Sequence, residues 1–305
     1  MATSVSTTTI ERSRQAAGDI AFIAGRSGVR RRRRFRLNPE QTAAHVILLL
    51  MAIGVMLPFL WLVFGSFKTY QDLIANPWFP HRWIIKNYVT VFSQGGIGRA
   101  FVNSAIVAVA QVFFTCTTSV LLGYVFAKYR FLGKDVLFVI LLSTLMVPLG
   151  AVVVPLYLLL AGLNLTNNIV GLIVISMWNM FGVYLLRQNI RGVSDEYIDA
   201  ARMEGAGELR IVLRVIVPLA RAPIAALAIL TFLSSWDNYL FPSIVLTSAS
   251  SKTLPLALQG LQGLFWARYE LFCAGAMLAI VPVMVIYTIF QRQFIRGLSF
   301  GGLKE

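Results

Sequence analysis

Two short stretches of this sequence place charge or polarity among apolar residues, and chemistry would have to be done there. Between Arg187 and Arg221 the chain reads RQNIRGVSDEYIDAARMEGAGELRIVLRVIVPLAR, with acids and bases at helical spacing around Gly205-Ala206-Gly207. Further on, Trp236-Asp237-Asn238-Tyr239 sets an acid and an amide between two rings inside an apolar run. Elsewhere the ingredients of catalysis are missing. His45 and His81 stand 36 residues apart with no Cys or carboxylate at ligand spacing, which argues against a metal site and suits interface residues. No G-x-x-x-x-G-K-[ST] occurs, and Lys252-Thr253 follows Ser-Ala-Ser-Ser rather than a glycine loop, so the chain itself is not expected to bind ATP through a P-loop. There is no G-x-S-x-G elbow either, and an enzyme is not the expected class. Cys116 and Cys273 lie in apolar stretches and supply neither a disulfide framework nor a Cys-rich metal site.

The elements that must position these two stretches are membrane spans. Of 305 residues 57% are apolar and 13% charged, too greasy for an ordinary soluble domain. A span needs about 20 apolar residues, so six spans would use roughly 120 positions and leave room for loops and ends. Reading between charges gives cores at about 44–66, 101–127, 136–160, 168–186, 222–246 and 271–291. The third charge-free run, Val136 to Leu186, is long enough for two helices, with a turn at Gly162 to Asn168 where Gly, Asn and Thr cluster. The expected fold class is an all-α integral membrane protein with six transmembrane helices, its span domain running over residues 41–305.

Lys and Arg near span ends stay on the cytoplasmic side. With the amino end inside, 21 basic residues face the cytoplasm and six face out, so both termini are predicted cytoplasmic in a multi-pass protein of the cell membrane. The arm, residues 1–40, carries nine Arg, five of them consecutive at Arg30 to Arg34, and has almost no apolar periodicity. It reads as a disordered topology anchor drawn to anionic membrane lipid. Arg33-Arg34-Phe35 also suits a twin-Arg export signal, but the following apolar run is longer than a signal's and five more spans follow. Lacking interleaved aromatics and lying beside a span, the arm is not expected to bind nucleic acid.

The loop at 187–221 is patterned. Ser194 can cap a helix whose first turn holds Asp195 and Glu196, and Asp199 with Arg202 forms an i, i+3 pair, giving a helix over about 195–204. Gly205, Ala206 and Gly207 permit a tight bend, and Glu208 to Val217 forms a second short helix that closes before Pro218. Small residues at Ala200, Ala201 and Gly205 to Gly207 leave room for a partner's side chains. Two readings stand open: a helix seated in another protein's groove, and an amphipathic helix resting on headgroups.

Glu196-Tyr197-Ile198-Asp199-Ala200-Ala201-Arg202-Met203-Glu204-Gly205-Ala206-Gly207, followed by Val217-Pro218-Leu219, resembles the EAA loop of ABC importer permeases, and its place before the penultimate span also matches. Asp199 stands for the usual Glu, Glu204 for the usual Asp, and Val212 where Phe is frequent. Trp236-Asp237-Asn238-Tyr239 resembles the Trp-Asn-Glu-Phe segment of the carbohydrate-import, maltose-permease-like branch. Thr253-Leu254-Pro255-Leu256 with Gly260-Leu261 resembles its outer loop, and Phe294 to Lys304 its tail.

The resemblance covers residues 45–305. It implies a MetI-like permease core with a cytoplasmic EAA coupling loop, forming half the translocation path of a binding-protein-dependent importer for a carbohydrate. The implied partners are a second homologous permease subunit, two cytoplasmic P-loop ATPase subunits that carry ATP and Mg, and an extracytoplasmic sugar-binding protein. No cofactor is implied on this chain. The implied ATPase-coupling residues are Glu196, Asp199, Ala200, Ala201, Glu204, Gly205, Ala206, Gly207 and Pro218.

For Trp236, Asp237, Asn238 and Tyr239 a substrate path and a structural polar contact both stand open. Asp237 is the sole acid within a span, about 22 Å along a core about 30 Å thick. Pro148, Pro155 and Pro282 suit bends in their spans. Gly123, Gly162, Gly171 and Gly182 suit close helix approach more than a pore lining. The tail from Gly297 reads equally as an ATPase contact and a frayed end. Alternatives to a sugar permease are an ABC permease for another solute and a secondary transporter working without ATPases.

Overall fold

A computed structural model describes residues 39–299 apart from 77, 94–95 and 265–267. The expected disordered arm lies outside the described residues as far as residue 38, as does the tail beyond residue 299, whereas Pro39 and Glu40, expected in the arm, already belong to the first helix. The order is α1 (Pro39–Ser66), α2 (Tyr70–Ala75), α3 (Lys86–Ser93), α4 (Ile97–Lys128), α5 (Lys134–Ser143), α6 (Leu149–Gly162), α7 (Ile169–Ile175), α8 (Met180–Arg191), α9 (Asp195–Met203), α10 (Glu208–Leu219), α11 (Arg221–Trp236), α12 (Leu240–Val245), α13 (Leu254–Leu264) and α14 (Tyr269–Ser299). There is no strand among the described residues. Residues 39–55 of α1 form one unit, exposed along 42–55, and residues from 56 onward form the other.

Three helices are long and apolar enough to cross a membrane: Thr42–Ser66, Ile97–Lys128 and Tyr269–Gln291. Three bent pairs bring the candidates to as many as six if each pair counts as one span. The stretch expected as a single third span is one of these, α5 and α6 meeting at 101°. Its cause is local. Val147 precedes Pro148 and is pushed out of the helical region, to φ −81° and ψ 115°. Pro155 and Pro282, by contrast, lie inside continuous helices.

The expected fourth span is α7 and α8, bent by 42° across residues 176–179. A break in a membrane frees backbone carbonyls, which need donors from neighbours. Here α4 supplies them: Thr115 Oγ1 donates to the Ser176 carbonyl at 3.0 Å and Gln111 Nε2 to that of Leu172 at 3.3 Å. Asn179 restarts the helix, its side-chain oxygen accepting from the Phe181 amide at 2.8 Å. The fifth span is also interrupted, with Asp237 at the C-cap of α11 before α12 begins at Leu240. The turn expected at 162–168 is present, and Asn164 and Asn167 adopt positive φ there.

Helix α4 is the spine of the second unit. Near its amino end Ile97, Ala100 and Ala108 pack with Val91, Trp236, Leu254 and Leu271. Near its carboxyl end Val120 and Tyr124 pack with Leu186, Ile190, Ile198, Ile211 and Ile216. Between lipid-soluble helices such contact depends on close backbone approach. A Cβ at Gly182 would stand 2.4 Å from Ser119 Oγ, at Gly123 3.1 Å from the Arg187 backbone nitrogen, and at Gly171 2.4 Å from the Leu165 carbonyl oxygen. Gly123 and Gly182 serve as expected, while Gly171 makes room for the turn that precedes its own helix. Gly162 does neither, since a Cβ there would meet nothing within 4 Å.

Candidate functional site

The loop at 187–221 folds as a helix, a glycine bend and a helix. Ser194 caps α9, its hydroxyl accepting from the Glu196 amide at 3.3 Å. At the other end the Ala206 amide bonds the Ala201 carbonyl and the Gly205 amide that of Arg202, the paired closure that requires a left-handed residue. Gly205 provides it, at φ +78°.

The bend is held from three sides. Arg202 meets Asp199 at 3.4 Å and reaches across to Glu208 at 3.0 Å, and the Tyr124 hydroxyl donates to Glu208 at 2.8 Å. Arg202 above all, with Tyr129 and Tyr124, holds the Glu208 carboxyl below the usual carboxylate range. Lys128, at the end of α4, donates to the Val193 carbonyl and pairs with Asp195 at 2.6 Å. This staple through Tyr124, Lys128 and Glu208 was not foreseen from sequence. Its tyrosine and lysine lie 84 and 67 positions from their carboxylate partners, and only an ionisable residue at each end of the contact hinted at it.

The second helix departs from expectation. It does not close before Pro218 but runs on to Leu219, because Val212–Ile216 is a π turn with the Val217 amide bonded to the Val212 carbonyl. Pro218 then stands in the first turn of the α segment that follows, where a missing N–H costs little. Val212 itself is buried beside Ile211 and Ile216.

Of the implied coupling residues, Glu196, Asp199 and Ala200 are exposed on α9, while Ala201 is half-buried against the helix core. Glu204, Gly205 and Gly207 are exposed around the bend, Ala206 is half-buried, and Pro218 is exposed. Around the bend Met203 is 89% exposed, and Leu209 and Leu213 are more than half exposed. Leu209 and Leu213 line a shallow cavity of about 590 Å³ together with Gly205, Gly207, Arg210 and Arg214. A charged rim around bare apolar tips is a surface that water serves poorly.

The segment 236–239 divides. Trp236 is buried, stacked on Phe232 at 5.4 Å, edge-on to Phe101 at 5.5 Å, and donating Nε1 to the Ala279 carbonyl at 3.0 Å. Asp237 and Tyr239 are exposed, and Asn238 turns into a cleft of about 590 Å³. That cleft is lined from α4 by Gln111 and Thr115, from the break in the fourth span by Ser176, Trp178 and Asn179, and from α11 by Thr231 and Ser234. None of these seven was singled out from sequence. Amide and hydroxyl side chains inside otherwise apolar runs were the available signal.

Residues 119–300 match the family described as "Binding-protein-dependent transport system inner membrane component". The chain belongs to that family. The permease is 33% identical over 267 residues to the arabinooligosaccharides transport system permease protein AraQ of Bacillus subtilis (strain 168), covering 86% of this chain and 95% of that one. To the lactose transport system permease protein LacG of Rhizobium radiobacter it is 30% identical, covering 83% and 92%. Its fold resembles a chain of a bacterial ABC transporter involved in the import of the acidic polysaccharide alginate, with TM-score 0.73, 23% identity, and coverage of 83% and 95%. The permease therefore has a MetI-like all-helical fold and is a multi-pass membrane component.

Proposed function

We propose that this permease is the transmembrane subunit of an ATP-driven, binding-protein-dependent importer for a carbohydrate, forming half the path and coupling to separate ATPase subunits through residues 195–218. The observation that carries the reading is the glycine-bent pair α9–α10. It presents Met203, Leu209 and Leu213 outward while Glu208, Tyr124 and Lys128 fasten it to the spine helix. A surface so exposed and yet so firmly tied suits a part that receives a partner and passes on its displacement. The carbohydrate class is supported by the named solutes of AraQ and LacG.

In this reading the loop and both termini face the cytoplasm, and residues 1–40 form a separate basic arm. The chain performs no catalysis and binds no cofactor, ATP and Mg belonging to the ATPases. Its partners are a second permease, two ATPase subunits and an extracytoplasmic sugar-binding protein. Co-purification of the tagged chain with mass spectrometry of its companions tests this: a P-loop ATPase and a second permease are expected, and a chain recovered alone overturns it in favour of an autonomous transporter.

The substrate path is assigned to the cleft with Asn238 as its contact from the 236–239 segment. Trp236 anchors that segment against α14, while Asp237 and Tyr239 lie outside the lining. Amides and hydroxyls with the half-exposed face of Trp178 match a sugar's hydroxyls and CH faces. Asn238→Leu is expected to lower uptake of a labelled sugar about tenfold, the order of one lost buried hydrogen bond. Asp237→Asn should leave uptake within about twofold. The reverse ranking in an uptake assay removes Asn238 from the path and restores Asp237 to it.

A further inference from the structure

The turn between α4 and α5 forms one wall of a pocket that the coupling loop and the cleft do not use. Its volume is about 560 Å³, and its lining includes Arg130 from the turn, Lys134 at the start of α5, and Arg187 and Arg191 from α8. One carboxylate, Asp135, joins these four cations. Lys134 lies within electrostatic reach of Arg130, Arg187 and Arg191 together. Like charges gathered in one concavity repel unless an anion sits among them.

Arg187 is the built part of the site. Its side chain is 10% exposed, and its guanidinium carbon rests 3.9 Å from the centre of the Phe138 ring. Nε donates to the Phe126 carbonyl at 3.1 Å, which fixes the plane of the group. Its nearest carboxylate oxygen, on Asp135, is 3.6 Å away and belongs to a side chain that is 88% exposed. Among the described residues neither Nη atom makes a hydrogen bond, so a fixed fork of donors is offered to the pocket. Beside it the ten-residue α5 begins after Gly133 with no side-chain cap, and its first-turn amides add to the positive potential.

The surroundings name the kind of anion. Leu132 is fully exposed at the tip of the turn, with Phe131 partly so beside it, and α5 continues outward with Val136 and Val139 both more than 60% exposed. A cationic pocket opening onto a bare apolar helix face suits a molecule charged at one end and greasy at the other. A free phosphate would use only the first half. We propose that this pocket binds the phosphodiester head group of an anionic phospholipid, with its acyl chains lying along α5. The pocket is at the same end of α4 as residues 193–195, through the Lys128 contacts, so the lipid sits beside the root of the coupling loop. The inference needs membrane embedding alone and does not depend on which solute is carried or on an ATPase.

Native mass spectrometry of the full-length chain, with whatever co-purifies, tests it using phosphatidylglycerol, phosphatidylethanolamine and inorganic phosphate as probes. Wild type should retain phosphatidylglycerol through activation that strips phosphatidylethanolamine. The double variant Lys134→Gln, Arg191→Gln should retain about thirtyfold less, as expected for loss of two cations near the membrane surface. Asp135→Asn removes the competing carboxylate, leaves the packed residues alone and should retain more than wild type. Equal retention of the two lipids, or unchanged or reduced retention in Asp135→Asn, overturns the proposal even if the double variant fails to fold. Displacement of phosphatidylglycerol by millimolar inorganic phosphate would overturn it too, marking a site for a free anion.

Discussion

Replacing Gly205 by valine is expected, in the proposed ATP-coupled importer, to abolish solute uptake and ATPase association while leaving the permease inserted. The cause is conformational. Gly205 sits at φ +78° in the closure of α9, and a Cβ there would meet nothing within 4 Å, so no clash is involved. A β-branched residue strains that backbone by about 1–3 kcal/mol and is relieved by reopening the bend, which redirects α10. Asparagine tolerates the same region, so Gly205→Asn should keep uptake within about threefold of wild type. Gly205→Glu joins the strain to a bulky charge on the exposed bend and should match valine. Uptake assays beside quantified ATPase recovery separate the cases. Normal uptake in Gly205→Val would mean that the bend does not couple the two parts.

The second large effect is expected at Gly182, where α8 crosses α4 and α11. A methyl group there would lie 2.4 Å from Ser119 Oγ and 2.9 Å from a Leu227 methyl carbon. Gly182→Ala should therefore cost about 1–3 kcal/mol, the range of overpacking, and lower the melting temperature of the purified chain. Leu227 presents the flexible end of a side chain and can give. The hydroxyl of Ser119 is buried with no hydrogen-bond partner among the described residues, so Ser119→Ala removes the obstacle without stranding a bond. The double variant should recover most of the loss, and a coupling energy near zero in the mutant cycle would show that the crossing is not tight. Gly171→Ala offers no such rescue, because the neighbour at 2.4 Å is the Leu165 backbone.

Local features of this permease were legible from its residues, and tertiary ones were not. The Ser194 cap, the Asp199–Arg202 pair and the bend at Gly205 depend on contacts within a few positions, and each stands where the residue types put it. Pro218 misled because the local rule assumes an α ladder, whereas the π turn at 212–216 had already changed its step. Pro148 pointed to a bend, and the local restriction on Val147 before it delivers one, but the size of the angle, 101°, is not written in a single dipeptide. The cleft was missed since Gln111, Asn179 and Thr231 come from α4, the break in the fourth span and α11, and converge only in the folded bundle. For Trp236 a substrate path and a structural contact both stood open, and its Ala279 and Phe232 contacts place it in the packed interior.

Helix α4 carries Tyr124 and Lys128 on the glycine-bent pair α9–α10 at one end and Gln111 and Thr115 on the cleft further along. Thirteen residues separate Gln111 from Tyr124, about 20 Å of unbroken helix. Such a rod is a lever. A tilt of about 10° set at the Tyr124 end sweeps the Gln111 end through roughly 3.5 Å, more than the diameter of a water molecule. The Thr115 and Gln111 hydrogen bonds to the broken fourth span would be stretched in the same stroke, so opening the cleft and unclamping that break become one mechanical event.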